Sequence, residues 1–439
     1  MTRLARAALF VAAIILVPFA RGAAQDTLQQ AVRIGLRYDP GTKPGVLVLR
    51  VPGTGGDSIR AILQRDFDNG DRINIIAVDE GGFPDAPTAG KNGNYPLYAK
   101  LGAVALVQAT PTANGIHIAV HDVAQAKVAR VRDFTLDGAP LSREWRMSVH
   151  AVSDELEAWM TGVRGISATR VAYIQGVRNG RLYVVDSDGA FPTPVGDDAG
   201  AMSPGWHPKG THVVYSVVGS RGCCQIYVHD FASGTARQIA AVGGGLNSTP
   251  VFAPDGAVIV YTHGEESGTD LFATTAFDRG PARRITVGRG TDNTSPTFSP
   301  DGRRLAFTSG RLGHPEIYIS DADGTNPQLL TSDKLSEQNY RANPDWSPDG
   351  RFVAYQSQQT DGTFQLNTIS LRDRSVKQHT SAGSNEDASW APDSRHIIFS
   401  STRMGSKQLF VIDTESGRWR QLTQNGGARL PAWSPPLKR

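Results

Sequence analysis

The stretch from Asn343 to Ser357 reads N-P-D-W-S-P-D-G-R-F-V-A-Y-Q-S, and close variants of it recur through the second half of the chain. Successive copies are 46, 46, 48, 44 and 43 residues apart. Self-similarity at this period indicates a repeat architecture. In each copy an aromatic residue is followed two positions later by proline, and these aromatics are Trp206, Phe252, Phe298, Trp346, Trp390 and Trp433.

The order of elements inside each copy predicts four short antiparallel strands. In five copies a second aromatic follows the first after nine residues, as Tyr355 follows Trp346. Between the two lies a turn such as Asp349-Gly350, which allows a tight reversal of the chain. Apolar strands such as Glu316–Ile319 and Leu329–Thr331 complete the unit. Four strands in about 45 residues, without a helical pattern between them, are typical of a β-propeller blade.

The two ends of the repeat region give the number of blades. Five complete units run from Trp206 to Thr423, and a sixth is divided between residues 171–195 and the run Leu430–Ser434. A lone C-terminal strand can pair with the strands near residue 171 and close the ring, which removes exposed sheet edges. We therefore expect a mainly β protein with a six-bladed β-propeller over residues 166–439. A series of unrelated hairpins would not keep the nine-residue spacing.

Residues 25–165 lack the repeat and predict a small α/β domain. A helix with Ile59, Ile62, Leu63 and Phe67 on one side is expected at Asp57–Phe67, capped by Asp57 or Ser58 rather than opening a phosphate loop. A second helix is expected to begin at Ser153 and end near Thr161. Residues 162–168 would form the hinge into the propeller. The expected strands are Ala31–Leu36, Val46–Val51, Ala103–Ala109 and Ile116–Val120.

The first 24 residues predict a cleaved secretory signal peptide. Arg3 and Arg6 precede an uncharged run from Ala7 to Ala20, and Gly22-Ala23-Ala24 offers a cleavage site before Gln25. This apolar run is shorter than the roughly 20 residues that a membrane anchor needs. The mature chain is therefore expected to be secreted without membrane insertion.

Composition narrows the classes of function. The chain has 45 basic and 42 acidic residues, and removal of the signal peptide with its three arginines leaves the two signs balanced. Because no basic patch with interleaved aromatics is present, nucleic-acid binding is not expected. The two cysteines, Cys223 and Cys224, are adjacent, and no metal-binding partners are spaced around them. The sequence leaves two interpretations of these cysteines open: two free thiols at the edge of the solvent, or a disulfide bridge to another molecule.

The sequence contains no recognisable motif for a cofactor, a metal or a catalytic site, and we expect none of the three. His117 and His121 fall on one predicted strand without a third ligand, so we interpret them as surface histidines. The loops that enter each first strand are more informative, because first strands line the central channel and these small polar loops would surround one mouth of it. They are either simple turns or a surface that grips an inserted loop or peptide.

Three features resemble the TolB family, the periplasmic propeller proteins of the Tol-Pal system of Gram-negative bacteria. They are the blade signature with its I-Y-V and Q-L-T strands, the passage from Ser153 to Gly165, and the closing run Leu430–Pro435. The resemblance implies a non-enzymatic periplasmic adaptor that supports outer-membrane integrity and constriction at cell division. Its expected partners are a Pal-like peptidoglycan-associated lipoprotein and a TolA-like inner-membrane protein.

The resemblance also assigns partner-binding residues. The mature N-terminal segment, which could add a strand to the TolA-like partner, comprises Gln25, Asp26, Thr27, Leu28, Gln29, Gln30, Ala31, Val32, Arg33 and Ile34. The residues that face the Pal-like partner are Asn247, Ser248, Thr249, Asp292, Asn293, Thr294, Asn339, Arg341, Glu386 and Arg429. The chain departs from the family pattern at Leu246, where histidine is familiar, at Ala388, which replaces proline, and at Leu366-Asn367.

A second class of function stays open at this point. The chain could be an envelope propeller enzyme or ligand-binding protein related to the propellers of peptidases. That alternative predicts clustered acids, histidines or a bound metal in the channel.

Overall fold

The computed structural model describes residues 42–78, 94–219, 224–239, 241–278, 280–287, 291–331 and 340–437. The predicted signal peptide, the strand Ala31–Leu36, the partner segment Gln25–Ile34 and Asn339 lie outside the described residues. Within the described part, no helix is both long enough and apolar enough to cross a membrane.

The region before the repeats forms one mixed sheet with helices. In chain order its elements are β1 (Gly45–Val48), α1 (Gly56–Gly70), β2 (Asn74–Ile75), α2 (Tyr95–Lys100), β3 (Ala105–Thr112), β4 (Gly115–Asp122), β5 (Lys127–Thr135) and α3 (Arg143–Thr161). The strand order is β2-β1-β3-β4-β5. β1 runs parallel to both β2 and β3, whereas β3, β4 and β5 form an antiparallel meander.

The core of this domain lies between the sheet and α1 and α3. The apolar face predicted for α1, with Ile59, Ile62, Leu63 and Phe67, is buried there beside residues of α3 such as Trp159. Amphipathic spacing thus identified the buried side of α1 correctly.

The predicted side-chain cap of α1 is wrong. Gly55 occupies the N-cap with φ of 81°, and no side chain caps the helix. A Cβ on Gly56 would lie 2.1 Å from the Val51 carbonyl oxygen. Close approach of the backbone therefore selects glycine here, and neither Asp57 nor Ser58 is placed as the cap.

The predicted start of the second helix is also wrong. α3 begins ten residues earlier than expected, at Arg143, and the Ser142 hydroxyl caps it by accepting a hydrogen bond of 3.2 Å from the Trp145 amide. Ser153 lies in the helix interior and is buried. Strand β5 was not predicted from the sequence, because most of its nine residues are exposed and four of them are charged.

The repeat region forms, over its described residues, six units of four strands; four of them are separate sheets, and those of blades 1 and 2 are joined into one eight-stranded sheet. Blade 6 is divided between the two ends of the region and consists of β6 (Arg170–Gln175), β7 (Arg181–Asp186), β8 (Thr193–Pro194) and the C-terminal strand β29 (Ala428–Trp433). Blades 1 and 2 consist of β9 (Ala201–Trp206), β10 (His212–Val218), β11 (Cys224–Asp230) and β12 (Thr235–Gln238), and of β13 (Leu246–Phe252), β14 (Val258–Glu265), β15 (Gly268–Thr275) and β16 (Arg283–Arg284). Blades 3 to 5 consist of β17 (Thr294–Phe298), β18 (Arg304–Ser309), β19 (Glu316–Asp321) and β20 (Gln328–Leu329); of β21 (Arg341–Trp346), β22 (Phe352–Gln358), β23 (Phe364–Ser370) and β24 (Val376–Gln378); and of β25 (Asn385–Trp390), β26 (His396–Ser401), β27 (Gln408–Asp413) and β28 (Trp419–Gln421).

The C-terminal strand closes the ring, as the divided sixth repeat predicts. β29 pairs antiparallel with β6, with Trp433 opposite Val171. Blade 6 therefore has the order β29-β6-β7-β8, in which the innermost strand comes from the end of the chain. A single parallel bridge between Cys224 and Leu246 also links blades 1 and 2.

Apolar side chains fill each interface between neighbouring blades. Among the described residues, each pair of adjacent blades shares its own buried apolar cluster, including the pair of blades 5 and 6 and the pair of blades 6 and 1. The second aromatic of each repeat, such as Tyr215, Tyr261 and Phe307, is fully buried in one of them. The first aromatic of a repeat packs in the same cluster, as Trp346 does beside Tyr355, so the nine-residue spacing places both aromatics in one interface between blades.

Candidate functional site

The first strands of the six blades surround a central channel of about 460 Å³. Each contributes one short segment to its wall, for example Asn343 to Trp346 in blade 4. The stretch that defines the repeat is therefore also the stretch that lines the channel.

A distorted residue recurs at the same position of every first strand. Ser203, Thr249, Ser295, Asn343, Asp387 and Leu430 have φ of 47°, 47°, 51°, 52°, 58° and 50°. Proline follows each of them except Asp387, which precedes Ala388. Each first strand also shifts its register against the second strand near this residue, as a β-bulge does. Bulges re-aim side chains at functional surfaces, and here the same bulge is repeated around the whole channel.

Hydrogen bonds between blades hold this distorted position in place. The amides of Ser295 and Asn343 donate to the hydroxyls of Thr262 and Thr308 on the preceding blade, both at 3.2 Å. The Asp387 amide donates to the side-chain oxygen of Gln356 at 3.0 Å. The backbone strain is thus compensated by bonds that exist only when neighbouring blades are assembled.

A second set of bonds lies two residues deeper in the channel. The Trp390 amide donates to the Asp345 carboxylate at 2.7 Å, and the Trp433 amide donates to the Ser389 hydroxyl at 3.1 Å. The Thr297 hydroxyl accepts a longer bond of 3.4 Å from the Trp346 amide. Blades 3 to 6 are therefore linked in sequence along the channel wall.

The polar groups of the channel are concentrated in blades 3 to 5. Burial raises the pKa of Asp345 to about 7 against the opposing effect of its hydrogen bonds. Burial also raises the pKa of Asp387, whose carboxylate accepts a 2.8 Å bond from the Ser400 hydroxyl. The opposite side of the wall carries Gly205, Val251 and Ala432. In the described part of the chain, no three His, Cys, Asp or Glu residues are grouped as metal ligands.

Several residues predicted to face a partner are buried at the entrance of the channel. Asn293 is fully buried, and its amide nitrogen donates to Asp270 at 2.9 Å while its oxygen accepts from the Ser309 hydroxyl at 2.8 Å. Asn247 is likewise buried, with bonds to the Cys224 carbonyl and to the His263 ring. Their side chains join first strands to neighbouring strands, which the sequence did not reveal.

Arg341 occupies the equivalent position in blade 4. Its guanidinium contacts the buried carboxylate of Glu316 at 2.7 Å. In blade 5 this position holds Asn385, which bonds to Gln365 and Arg403 and was not among the predicted residues. Asparagine stands two residues before the distorted position in blades 2, 3 and 5, and this recurrence is the sequence signal that could have found the position.

The other predicted residues lie at the mouth and are accessible. Asp292 is exposed, Ser248, Thr249 and Thr294 are half-buried, and the structure brings them together on blades 2 and 3. Glu386 and Arg429 are half-buried on blades 5 and 6, where Glu386 pairs with Lys407 at 2.8 Å. The mouth therefore combines small polar groups with charges of both signs.

Exposed apolar residues on the same face were missed by the sequence reasoning. Each blade contributes one near the end of a strand or in a hairpin at the mouth, and the strand directions place all of them on one side of the ring. They are Val177, Val218, Leu246, Leu312, Tyr340 and Met404, which we call the apolar rim. Exposed apolar groups gathered on one face mark an interaction surface more often than scattered ones do. No local motif announces them, since they lie in unrelated loop sequences.

The histidines of β4 do not form a site together. His121 is buried, with ring nitrogens 2.9 Å from the Tyr95 hydroxyl and 3.0 Å from the Gln108 side-chain oxygen. His117 is exposed and pairs with Asp133 at 2.6 Å. The surface interpretation was therefore right for His117 and wrong for His121.

The N-terminal domain contacts the opposite face of the propeller, through turns of blades 5 and 6. Arg72 pairs with Asp393 at 2.9 Å, and Arg143 pairs with Asp186 at 3.0 Å. Asp188, which is buried, contacts Arg65, Arg146 at 2.6 Å and His150 at 3.5 Å. Over the described residues, this arrangement leaves the apolar rim uncovered by the N-terminal domain.

Together these features define a closed six-bladed β-propeller with an α/β domain on one face and an accessible channel mouth on the other. The profile of the TolB beta propeller domain matches residues 158–437, and the chain belongs to this family.

Individual relatives agree with this family. The chain is 29% identical over 198 residues to the Tol-Pal system protein TolB of Sodalis glossinidius; the match covers 43% of this chain and 45% of that protein, about half of its length. The crystal structure of TolB from Acinetobacter baumannii is similar with a TM-score of 0.77 and 23% identity, over 90% of this chain and 98% of that one. A more distant likeness, to the hydrazine synthase of Kuenenia stuttgartiensis, has a TM-score of 0.52 and 14% identity, over 62% of this chain and 47% of that one.

Proposed function

We propose that this chain is a non-enzymatic adaptor of the Tol-Pal system, that it acts in the periplasm, and that it binds a Pal-like lipoprotein at the mouth of its propeller. Membership of the TolB family supports this proposal, as does the name of the Sodalis relative. The single observation that carries it is the apolar rim, to which every blade contributes and which the described residues of the N-terminal domain leave uncovered.

The mouth residues divide into two roles under this proposal. Ser248, Thr249, Asp292, Thr294, Glu386 and Arg429 are accessible and would contact the lipoprotein beside the apolar rim. Asn247, Asn293 and Arg341 would act as positioning residues, because their side chains bond within the propeller. Aromatic and large apolar anchors typically supply most of the binding energy of such an interface.

The second partner would be TolA-like and would bind the segment Gln25–Ile34. Removal of residues 1–24 as a signal peptide would place this segment at the mature N-terminus. The propeller of residues 166–439 and the domain of residues 25–165 would then serve separate partners. Through both contacts the adaptor would support envelope integrity and outer-membrane constriction at cell division.

A pull-down with matched variants tests the lipoprotein site. Purified mature protein is expected to capture a Pal-like lipoprotein from envelope extract, and Leu246→Asp is expected to weaken this binding about tenfold or more by placing a charge in the contact. Val376→Asp is the control, because Val376 is also exposed but lies on the outer strand of blade 4. Equal binding by the two variants, or the absence of any lipoprotein, would contradict the proposal.

Deletion of residues 25–34 tests the second contact separately. The shortened mature protein is expected to lose capture of the TolA-like partner and to keep the lipoprotein. In cells, loss of the whole gene should produce leaky envelopes and delayed constriction. Loss of both partners on deletion of residues 25–34 would refute the division of roles.

A further inference from the structure

Two acids are buried side by side at the junction of the two domains. Asp154 and Glu157 lie about one helical turn apart near the C-terminal end of α3, and each is only 1% exposed. Buried carboxylates are costly unless they are paired and hydrogen-bonded. We call these two residues the acid pair, and their surroundings show what they hold.

Asp154 holds the linker that enters the propeller. Its carboxylate accepts hydrogen bonds from the amides of Ser167 at 2.7 Å and Ala168 at 2.9 Å, and its backbone carbonyl accepts one from Gly165. A Cβ at Gly165 would lie 2.5 Å from the Asp154 carboxylate, so the linker passes close to the helix. The conformation of residues 165–168 thus depends directly on this side chain.

The buried carboxylate of Glu157 has fewer hydrogen-bond partners than that of Asp154. Its nearest cation is Arg72, at 3.5 Å, and Arg72 is closer to Asp393 of blade 5, at 2.9 Å. One oxygen of Glu157 is buried without a hydrogen bond to any described residue. A Cβ at Gly70 would lie 2.6 Å from the other oxygen, so α1 closes over the group. Glu157 therefore shares one cation with a second carboxylate.

Charges on every packed element act on the acid pair. Burial raises the pKa of Glu157 to about 8 and that of Asp154 to about 7. Asp393 and Asp154 raise the pKa of Glu157 further, whereas Arg72 lowers it. Asp66 of α1 raises the pKa of Asp154, and Arg164 of the linker lowers it.

We propose that the acid pair is a proton-dependent latch, in which a proton on Glu157 keeps the linker and the propeller docked against α3. With the proton bound, the pair carries at most one negative charge, and Asp154 keeps its two linker amides. Loss of the proton leaves two anions about one turn apart in a buried site with one shared arginine. The junction then loosens, and the linker amides lose their protection. This latch is independent of which partners bind the propeller.

The sign of the pH effect follows from linkage. A carboxyl whose pKa is higher in the docked form than in the open form, where glutamate has a pKa of about 4.3, binds more protons when docked. Docking is therefore strongest below about pH 4.3 and weakens as pH rises towards 8. Between pH 5 and pH 8 we expect the docked fraction relative to the open one to fall by at least about tenfold.

Hydrogen exchange of the linker measures the latch directly. Protection of the Ser167 and Ala168 amides, corrected for the intrinsic pH dependence of exchange, is expected to fall at least about tenfold between pH 5 and pH 8. Strand β26 serves as the internal reference. Small-angle scattering of the wild-type protein should show domain separation increasing over the same range.

Two variants on the same helix distinguish the latch from a general loss of stability. Glu157→Gln imitates the protonated acid, so its linker protection should fall clearly less between pH 5 and pH 8 than that of the wild type, and titration of Asp154 accounts for the fall that remains. Glu144→Gln is the matched control, because Glu144 is exposed in the first turn of the same helix, ten residues before Asp154, and its profile should follow the wild type. A wild-type profile that does not change with pH overturns the proposal without any variant. A Glu157→Gln profile that keeps the wild-type slope overturns it as well.

Discussion

Closure of the propeller by its C-terminal strand gives a quantitative prediction for Trp433. Its side chain is buried in the cluster between blades 5 and 6, and the indole nitrogen donates a 2.8 Å hydrogen bond to the Thr169 hydroxyl. Truncation to alanine leaves a cavity at the interface where the C-terminal strand closes the ring. Substitutions of this kind cost about 3–5 kcal/mol. At roughly 2–4 °C for each kcal/mol, we expect the Tm of the propeller to fall by about 10 °C.

Trp419→Ala is the matched control for Trp433→Ala. Trp419 lies on the outer strand of the neighbouring blade, is 49% exposed and contacts the edge of Phe410. Its truncation should cost about 1 kcal/mol. Both variants would be followed by circular dichroism during thermal and urea unfolding. Similar losses for the two tryptophans would refute the conclusion that the C-terminal strand carries the closure of the ring.

Three further predictions concern the channel and the domain interface. Ala388→Pro should raise the free energy of unfolding by about 0.4–1 kcal/mol in urea titrations, because the other five blades carry proline at this position and proline restricts the unfolded chain. Asp345→Asn should remove a pH dependence of the unfolding free energy, because burial raises the pKa of this acid to about 7 in the folded protein. The unfolding free energy of the wild type should therefore fall relative to that of the variant between about pH 4 and pH 7. Asp188→Asn should destabilise the protein by about 3 kcal/mol in the same urea titration, because it removes the buried carboxylate that pairs with Arg146 and contacts His150. Arg351→Ala, which breaks an exposed pair with Asp349, should cost less than about 1 kcal/mol.

The blades were predictable because their signals are local and repeated. A turn such as Asp349-Gly350 and the apolar strands beside it need only neighbouring residues to define them. Repetition then removes ambiguity, since one short apolar run could be either strand or helix. The face of α1 was predictable for the same reason, because helical periodicity is a local property.

The boundaries of α3 and the cap of α1 were less predictable. Ser153 has the features of a capping residue, but the helix continues through it because residues such as Trp145 and Val152 are buried against the sheet. Tertiary burial outweighs the local preference of serine for a cap. At Gly56 the decisive factor is the nearby carbonyl of Val51, which lies outside the helix.

The residues at the channel mouth were also predictable only in part. The sequence correctly placed Asp292 and Glu386 at one end of the channel, although Glu386 lies at the start of β25 and not in a loop. It could not separate these two from Asn247 and Asn293, whose side chains turn inward. All four are small polar or acidic residues in loop-like sequence. Which of them faces solvent depends on neighbouring strands such as β14 and β18, which supply the buried partners His263 and Ser309.

The sequence alone determined the number of blades, the position of each first strand and the closing role of the C-terminus, because these follow from spacing along the chain. The tertiary structure alone decided which loop residues are buried, where the apolar rim lies, and that Asp154 and Glu157 share a site with Arg72 and Asp393. Those properties depend on distances between residues far apart in the chain. Burial and charge coupling act through space, and no local pattern records them.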